Sequence, residues 1–335
     1  MEKNRNAYWD NLKAALIFCV VLGHFLLPVS PKEPLVHTVF NWIYLFHMPA
    51  FVLVSGYFSR SYVRKNNKEY KLVGYVGLYV LLTVCIWAVN LALGNKINVK
   101  EILSTSSAQW YLLSMAFWLL AIPFVVRLKT PFAFFAFIAL GILAGSIQSC
   151  GNFLTLSRTI VFFPFFLAGY CFGDFFPEKT KPWMRVLAAL ILISFACILF
   201  LYKEDLGMFL KIIYGNNSYK NLGLSTKTGI IYRFVWYIVA SVMTFSVMCL
   251  IPKKRFIFTY IGERTLGIYF VHRLLRDIVT KTGMYKAVKT DWLVLLICVL
   301  ISAAVVLISS AKPISAFLNR FFRMDFLIKS KSDNK

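Results

Sequence analysis

The sequence predicts an all-α, polytopic membrane protein with about ten transmembrane helices. First, 59% of the 335 residues are hydrophobic and only 15% are charged, whereas soluble globular domains contain about 45–50% apolar and about 25% charged residues. Second, the apolar residues fall in runs of about 20, the length at which an α-helix crosses the hydrocarbon core of a bilayer. One water-soluble core does not accommodate this excess of apolar surface, so we expect an integral membrane protein.

Ten apolar runs are predicted to span the membrane. They cover residues 12–28, 38–59, 72–93, 109–127, 131–149, 159–176, 184–202, 230–251, 256–272 and 292–311. The run 256–272 is the least apolar of the ten. Between the seventh and eighth runs, the segment 206–214 is a candidate for a helix that lies in the membrane interface.

The positive charge of the chain predicts its orientation. The net charge is +23, and much of it lies in short clusters between the runs, such as 60–71, 177–185 and 252–255. In a soluble protein this charge would suggest nucleic-acid binding, but Lys and Arg are enriched in the cytoplasmic loops of membrane proteins. We therefore predict no nucleic-acid partner and place both termini in the cytoplasm. The basic loop 273–291 then lies outside, where it fits this rule poorly.

One membrane domain over residues 8–312 fills most of the chain, and a basic cytoplasmic tail is predicted over 313–335. The first apolar run lacks a small-residue cleavage site and leads into another span, so we predict no cleavable signal peptide. Six of the seven cysteines lie inside apolar runs, and none has metal-ligand spacing. The sequence therefore predicts no metal site and no disulfide framework.

Ionisable residues in or beside apolar runs are the candidate functional residues, because they are costly at membrane depth and tend to mark function. The stretch 8–59 contains Asp10, Lys13, His24 and His47. Lys13 and His24 are eleven residues apart, which places them within about 20° of one helical stripe and about 16 Å apart along it. That separation excludes a direct ion pair and suits the two ends of a path through the protein. The alternative is a lysine at the interface and an unrelated histidine.

Two further candidates lie near His24 in the predicted topology. Arg158 opens the sixth run, and His272 closes the ninth; both are expected towards the outer side. His47 directly precedes Pro49, which removes a helical hydrogen bond, so the histidine either serves the site or satisfies the freed backbone.

Glu263 and Trp110 are candidates for binding a substrate. Glu263 and its neighbour Arg264 are expected towards the inner side, where the alternative is a structural ion pair. Trp110 opens the fourth run, where it either anchors the helix at the interface or stacks on a sugar.

Three segments resemble the membrane-bound acyltransferase family 3, especially its branch of fucose 4-O-acetylase-like acetyltransferases. They are DNLKAALIFCVVLGHF (10–25), FHMPAFVLVSGYF (46–58) and GERTLGIYFVH (262–272), and the resemblance covers about residues 8–312. Members of that family transfer an acyl group, usually acetyl from acetyl-CoA, to hydroxyls of cell-surface glycans, lipids or antibiotics. The resemblance therefore implies O-acetyl transfer at a bacterial plasma membrane, among membrane lipids, to a glycan or lipid-linked sugar.

The family's first-span signature is an arginine, ten residues and a histidine, and the matching positions here are Lys13 and His24. Lysine keeps the positive charge but loses the planar guanidinium, so a bidentate phosphate contact becomes a point-charge contact. On this reading we expect Lys13, Arg60 and the basic segment 60–71 to attract the CoA phosphates. We further expect His24 to act as a general base or as a transient acyl carrier, and Asp10, one turn before Lys13, to orient that lysine.

The remaining candidates have supporting roles in this reading. His47, Arg158 and His272 are expected to orient the acceptor or stabilise an oxyanion. A transporter of a glycan precursor or small solute is the alternative function, which the lack of an inverted repeat in the sequence disfavours. A non-catalytic membrane scaffold or sensor is the second alternative.

Overall fold

The computed structural model describes residues 6–31, 33–64, 70–104, 107–175, 180–283 and 290–323. Within these ranges the chain is helical and forms no β-strand beyond an isolated bridge between Ser104 and Phe153. The predicted all-α fold class is confirmed.

The α-helices follow one another along the chain with short connections and several 3₁₀ turns. They are α1 (Ala7–Leu26), α2 (Pro34–Arg64), α3 (Tyr70–Ala92), α4 (Trp110–Val125), α5 (Thr130–Leu143), α6 (Leu156–Phe172), α7 (Pro182–Leu201), α8 (Gly207–Leu210), α9 (Thr226–Leu250), α10 (Thr259–Glu263), α11 (Thr265–Lys281), α12 (Asp291–Ser309) and α13 (Lys312–Arg323).

Six of the described helices are long and apolar enough to cross a membrane: α1, α2, α3, α7, α9 and α12. The helices α4, α5 and α6 are also apolar but shorter. The chain is thus a multi-pass membrane protein, and the count of ten spans remains a prediction.

The predicted ninth span, 256–272, differs most from the structure. Its helix is interrupted at Arg264, between α10 and α11, and α11 continues to Lys281. Part of the basic segment predicted as an outer loop is therefore helical. The reason is that α11 is amphipathic. Its polar face lowers the mean hydropathy of the segment, and the span prediction depends on that mean.

The segment 206–214, the candidate interfacial helix, packs partly against the helical bundle. It forms α8 and a 3₁₀ turn over Lys211–Tyr214. Ile212 and Ile213 of this turn are buried. The Arg233 guanidinium of α9 donates a hydrogen bond of 2.7 Å to the Ile212 carbonyl, which ties the turn to the helices.

The loops gather at two ends of the helical bundle. At one end the amide of Leu35 donates to the Asp291 carboxylate; at the other end the Asn11 side chain donates to the carbonyls of Pro252 and Lys254. We name them the outer end and the inner end, after the predicted topology, and the predicted N-in, C-in orientation itself remains a prediction.

Close helix contacts depend on glycine at the crossing of α2 and α6. A Cβ atom at Gly56 would overlap the Phe166 carbonyl, and one at Gly169 would overlap the Leu53 carbonyl. Small residues let helix backbones approach closely in membrane proteins. This crossing fixes α2 and α6, both of which contribute side chains to the candidate site.

The first part of the predicted tail, 313–335, belongs to α13. This helix packs on α3, where the rings of Tyr75 and Phe322 meet edge-on with their centroids 4.8 Å apart. The rest of the tail, 324–335, lies outside the described residues.

Candidate active site

A cavity of about 640 Å³ lies between α1, α2, α3, α4, α6 and α11, towards the outer end. We name it the histidine cavity. The side chains used below are His24, Tyr44, His47, Trp110, Arg158, Tyr214, Arg273, Arg276 and Asp277. The cavity therefore brings together His24, His47, Trp110 and Arg158, four of the residues that the sequence singled out.

His24 and His272 contact each other at this cavity. Their ring centroids are 5.2 Å apart, and their planes are inclined by 65°. His24 lines the cavity, whereas His272 is fully buried behind it. The two histidines come from the first and last of the three family-like segments, on α1 and α11. Of these two histidines, only His24 is thus placed to touch a substrate in the cavity.

The hydrogen bonding of His272 defines its protonation. Its Nδ1 lies 3.0 Å from the Ile268 carbonyl oxygen, and because a carbonyl only accepts, Nδ1 carries the proton. Its Nε2 is therefore an acceptor. Within the described chain, neither His272 Nε2 nor His24 Nδ1 has a hydrogen-bond partner. The ring distance of 5.2 Å is compatible with a hydrogen bond from His24 Nδ1–H to His272 Nε2 after the rings reorient. In that arrangement His24 Nε2 is free to accept a proton from a substrate.

His47 and Tyr44 form the wall of the cavity on α2. The Nδ1 of His47 lies 2.9 Å from the Ile43 carbonyl in the preceding turn, whereas the carbonyl that Pro49 crowds is that of Leu45. The rings of Tyr44 and His47 meet edge-on at 4.5 Å. His47 therefore makes a hydrogen bond within its own helix, but its partner is not the Leu45 carbonyl, which the proline leaves without a helical hydrogen bond.

Arg158 lies above Trp110 in the same cavity. Its guanidinium carbon is 5.2 Å from the indole centroid, and its Nε donates to the Tyr214 carbonyl at 3.2 Å. Trp110 is buried, with 7% of its surface exposed, so it belongs to the cavity wall. A cation over an indole face is an attractive arrangement that holds the guanidinium in place.

Three charged residues of α11 complete the cavity, and the sequence reasoning assigned them to a loop. Arg273 pairs with Asp277, and its Nε donates to Ser107 Oγ at 2.6 Å. Arg276 lies 3.9 Å from the same carboxylate. The spacing of one, four and five residues after His272 places them on one helical face, a signal that becomes visible once the helix is extended beyond residue 272.

A second cavity of about 160 Å³ lies towards the inner end, lined by Lys13 and Lys71 among others. We name it the lysine cavity. The Lys13 ammonium lies 2.8 Å from Asp10 Oδ1. Arg60 is placed differently: it pairs with Asp174 and is not among the residues that line the described cavity. Lys71 is thus the cation that accompanies Lys13, and the sequence reasoning did not single it out.

Two tyrosines lie between the cavities. The Tyr111 hydroxyl is 2.6 Å from Ser55 Oγ, and both residues line the lysine cavity. The Tyr269 ring is 5.6 Å from the Tyr111 ring and 5.7 Å from the His272 ring, between centroids. A ligand that reached from Lys13 to His24 would have to displace these rings.

Glu263 lies at the inner end, away from the histidine cavity. Its carboxylate accepts a hydrogen bond of 2.7 Å from Arg255, and it lines neither of the two cavities described above. The neighbouring Arg264 donates to the Ser310 carbonyl at 2.9 Å. The structure therefore does not join Glu263 to the other candidates, and its role in substrate binding remains a prediction.

The chain is similar to known proteins over most of its length. A family described as an acyltransferase domain matches residues 6–311. The nodulation protein NolL of Sinorhizobium fredii is 26% identical over 295 residues, which cover 80% of this chain and 77% of that protein. No solved structure matches the chain.

The family match includes every residue named above that lines the two cavities. It also includes the three segments that carry the resemblance. The prediction of the family is confirmed. The chain belongs to the acyltransferase family 3, and it is an acyl-transferring enzyme of the membrane.

Proposed function

We propose that this protein is an O-acetyltransferase of a bacterial plasma membrane. It transfers an acetyl group from acetyl-CoA to a hydroxyl of a glycan or a lipid-linked sugar. The observation that carries the proposal is the contact of His24 with His272 in the histidine cavity, at a ring distance of 5.2 Å. That contact supports a role for His24 as a base, with its Nδ1 directed towards the buried His272 and its Nε2 towards a substrate.

His24 acts as the general base. Its Nε2 removes the proton of the acceptor hydroxyl while the hydroxyl oxygen attacks the thioester carbonyl. The tetrahedral intermediate then collapses, the carbon–sulfur bond breaks, and the proton passes from His24 to the departing CoA thiolate. Such catalysis typically contributes about 10²–10⁴ in rate.

His272 acts on the reaction through His24. By accepting a hydrogen bond from His24 Nδ1–H, its Nε2 fixes the tautomer in which His24 Nε2 is basic. This is the general logic of a base that a third group orients. His272 is therefore a positioning residue, because it is fully buried and does not line the cavity.

Arg158 is the candidate for stabilising the oxyanion of the tetrahedral intermediate. Its position is held by the Tyr214 carbonyl and the Trp110 face, so little reorganisation is needed when negative charge develops. Preorganised donors of this kind supply much of the rate enhancement in acyl transfer.

The lysine cavity supports the donor site. Ammonium groups attract phosphates as point charges, and Lys13 and Lys71 both line that cavity. Lys13 and His24 are eleven residues apart on α1, or about 16 Å, a span that the extended pantetheine arm of CoA would bridge. Arg60, which we also expected from the sequence to attract the phosphates, is replaced by Lys71 in this proposal.

Transfer from radiolabelled acetyl-CoA to a glycan pool tests the function in the purified, folded chain. His24→Ala should lower the transfer rate by about 10²–10⁴. His37→Ala is the matched control, because His37 lies on α2, contacts Asn41 and lines neither described cavity; it should keep the wild-type rate. Full transfer by His24→Ala would disprove the catalytic role of His24.

A further inference from the structure

We propose that two apolar grooves on α9 bind one anionic phospholipid with two acyl chains, whose headgroup lies at the inner end. In the described chain, neither groove shares a lining residue with the histidine cavity. The lipid site is therefore separate from the candidate active site. The inference goes beyond the proposed acyl transfer and does not depend on it.

The first groove has a volume of about 460 Å³ and lies between α5, α6 and α9. We name it the α6–α9 groove. Its lining is almost entirely apolar, and along α9 it extends from Phe234 to Met248, which is about 21 Å. One leaflet supplies about half of a hydrocarbon core that is about 30 Å thick. The groove is thus long enough for an acyl chain of one leaflet.

The second groove has a volume of about 410 Å³ and lies between α7 and α9. We name it the α7–α9 groove, and Trp183 and Leu187 of α7 contribute to its lining. Ser241, Val242 and Phe245 of α9 line both grooves. The two grooves therefore lie on the two sides of one ridge of α9. A lipid with two chains would fill both grooves at once, whereas a lipid with one chain would fill only one of them.

The borders of the grooves expose large apolar side chains. Trp183 is 61% exposed, Phe234 is 53% exposed and Ile238 is 51% exposed. Both α7 and α9 are long and apolar enough to cross a membrane. In such helices exposed apolar side chains contact lipid, so the chemistry of the grooves favours acyl chains as their occupant.

Basic residues adjoin both grooves at the inner end. Lys181 precedes α7, Arg185 lies in its first turn, and Lys253 and Lys254 follow α9. All four side chains are exposed. The start of α7 lies beside the C-terminal half of α9, because Trp183 lines the same groove as that half. The four charges are thus placed around the position of the headgroup.

This charge complements an anionic headgroup. Positive charge is common at the cytoplasmic ends of membrane spans, and it attracts the anionic lipids of that leaflet. The structure adds two apolar grooves that converge on the charge from the two sides of α9. The combination selects a lipid that has both a negative headgroup and two chains.

A buried hydroxyl offers this lipid a polar contact. Thr244 lines the α6–α9 groove and is 2% exposed, and its Oγ1 has no hydrogen-bond partner within the described chain. Buried hydroxyl groups are normally hydrogen-bonded. The Thr244 hydroxyl would donate to an ester carbonyl of a diacyl lipid. An isoprenoid chain lacks such an acceptor.

The α6–α9 groove also reaches the crossing of α2 and α6. Leu53 of α2 lines the groove, and its carbonyl is the one that a Cβ atom at Gly169 would overlap. A lipid in this groove would therefore pack against both helices of the crossing. We expect a bound lipid to raise the midpoint of thermal unfolding.

Quenching of Trp183 by brominated lipids tests the inference on the purified full-length protein in detergent. The probes are phosphatidylglycerol and phosphatidylcholine with brominated chains, which quench tryptophan fluorescence on contact. The difference between the wild type and Trp183→Phe gives the quenching of Trp183 alone. We expect phosphatidylglycerol to quench at a mole fraction about tenfold lower than phosphatidylcholine, because of its negative charge. It should also give the larger increase in the unfolding midpoint.

Three variants assign this binding to the grooves and their basic residues. Lys253→Gln/Lys254→Gln should remove most of the preference for phosphatidylglycerol. Arg320→Gln/Arg323→Gln is the matched control, because it removes the same charge from exposed positions of α13, and it should keep the preference. Thr244→Val should weaken both phospholipids alike, since the hydroxyl contacts the ester and not the headgroup.

Four observations would each overturn the inference. Equal quenching by the two phospholipids would leave only an unselective lipid surface. A preference that survives the lysine substitutions, or that the α13 control also loses, would separate the basic residues from the headgroup. Equal binding of brominated lysophosphatidylglycerol, which has one chain, would exclude the arrangement with two grooves. Competition by glycerol 3-phosphate would show that the ligand is a soluble phosphate.

Discussion

The rings of His24 and His272 meet at 5.2 Å, although one residue lies on the first helix and the other on α11. Helix α1 packs directly on α11, which brings the two family-like segments into one site. Each histidine contributes a buried nitrogen without a hydrogen-bond partner in the described chain. Such unpaired buried groups are rare in folded proteins and call for a functional explanation.

Removing the acceptor nitrogen at position 272 should slow the reaction without weakening substrate binding. In His272→Phe the ring volume is kept, but His24 Nδ1–H loses its partner. We expect kcat to fall by at least about tenfold, part of the 10²–10⁴ that a general base supplies, with unchanged KM for acetyl-CoA.

His272→Gln separates this positioning role from a packing role. Glutamine offers a carbonyl oxygen as acceptor, so it should recover part of the kcat that phenylalanine loses. If His272→Phe retains the wild-type kcat, or if both variants raise only KM, His272 does not orient the base.

Removing the positive charge at position 13 should weaken the binding of the donor, acetyl-CoA. Lys13→Gln takes away one of the two ammonium groups that line the lysine cavity, so KM for acetyl-CoA should rise about tenfold, which corresponds to about 1.4 kcal/mol of binding free energy. Lys13→Arg keeps the charge and should stay near the wild-type value. The measurement is steady-state transfer at varied acetyl-CoA.

Lys100→Gln is the control for a general charge effect, because Lys100 is exposed and lines neither described cavity. An unchanged KM for acetyl-CoA in Lys13→Gln would show that Lys13 does not bind the CoA phosphates.

Local sequence properties predicted the helices of this protein well. The length of an apolar run and the charges beside it are properties of about 20 consecutive residues. They were enough to predict α1, α2 and α12. The same reasoning predicted that Lys13 and His24 share one helix, and the structure places both on α1.

Long-range packing determined what the sequence did not predict. The contact of His24 with His272 depends on the docking of α1 against α11, which no periodicity encodes. Arg273 and Arg276 looked like loop residues, because a helix whose polar face lines a cavity has the composition of a polar segment. Tyr214 reaches the cavity from a 3₁₀ turn that is distant in sequence and is held by contacts such as the Arg233–Ile212 hydrogen bond.

The ring of Tyr111 should control passage between the two cavities. It lies between Lys13 and His24, and its hydroxyl is held by Ser55 at 2.6 Å. Tyr111→Trp should block the pantetheine arm and abolish most transfer. Adenosine 3′,5′-bisphosphate, the phosphate-bearing end of CoA, should still bind, because it lacks this arm and its phosphates meet Lys13 and Lys71 in the proposed arrangement. Tyr111→Phe keeps the size of the ring and should transfer at close to the wild-type rate.

Transfer at the wild-type rate by Tyr111→Trp would show that the donor reaches His24 by another route. Loss of adenosine 3′,5′-bisphosphate binding in the same variant would show that the lysine cavity itself had been deformed.

Alanine at the glycines of the α2–α6 crossing should destabilise the protein. A Cβ at Gly56 or Gly169 would overlap a backbone carbonyl of the facing helix, and a backbone yields less readily than a side chain. Overpacking of this kind costs about 1–3 kcal/mol, and the better helix propensity of alanine offsets about 1 kcal/mol of it. Thermal unfolding in detergent should show a lower midpoint for each variant. In the control Gly207→Ala no atom lies within 4 Å of the new Cβ, so the midpoint should not fall.

The two alanines should also be non-additive. Gly56 faces Phe166 on α6, and Gly169 faces Leu53 on α2, one turn away on the same pair of helices. A separation of the helices that relieves one overlap relieves part of the other, so the double variant should lose less stability than the sum of the single variants. Because α2 carries His47 and α6 carries Arg158, the same separation widens the histidine cavity and should lower kcat in all three variants. Additive losses of stability, with unchanged kcat, would show that the two contacts yield locally and that the crossing does not set the geometry of the site.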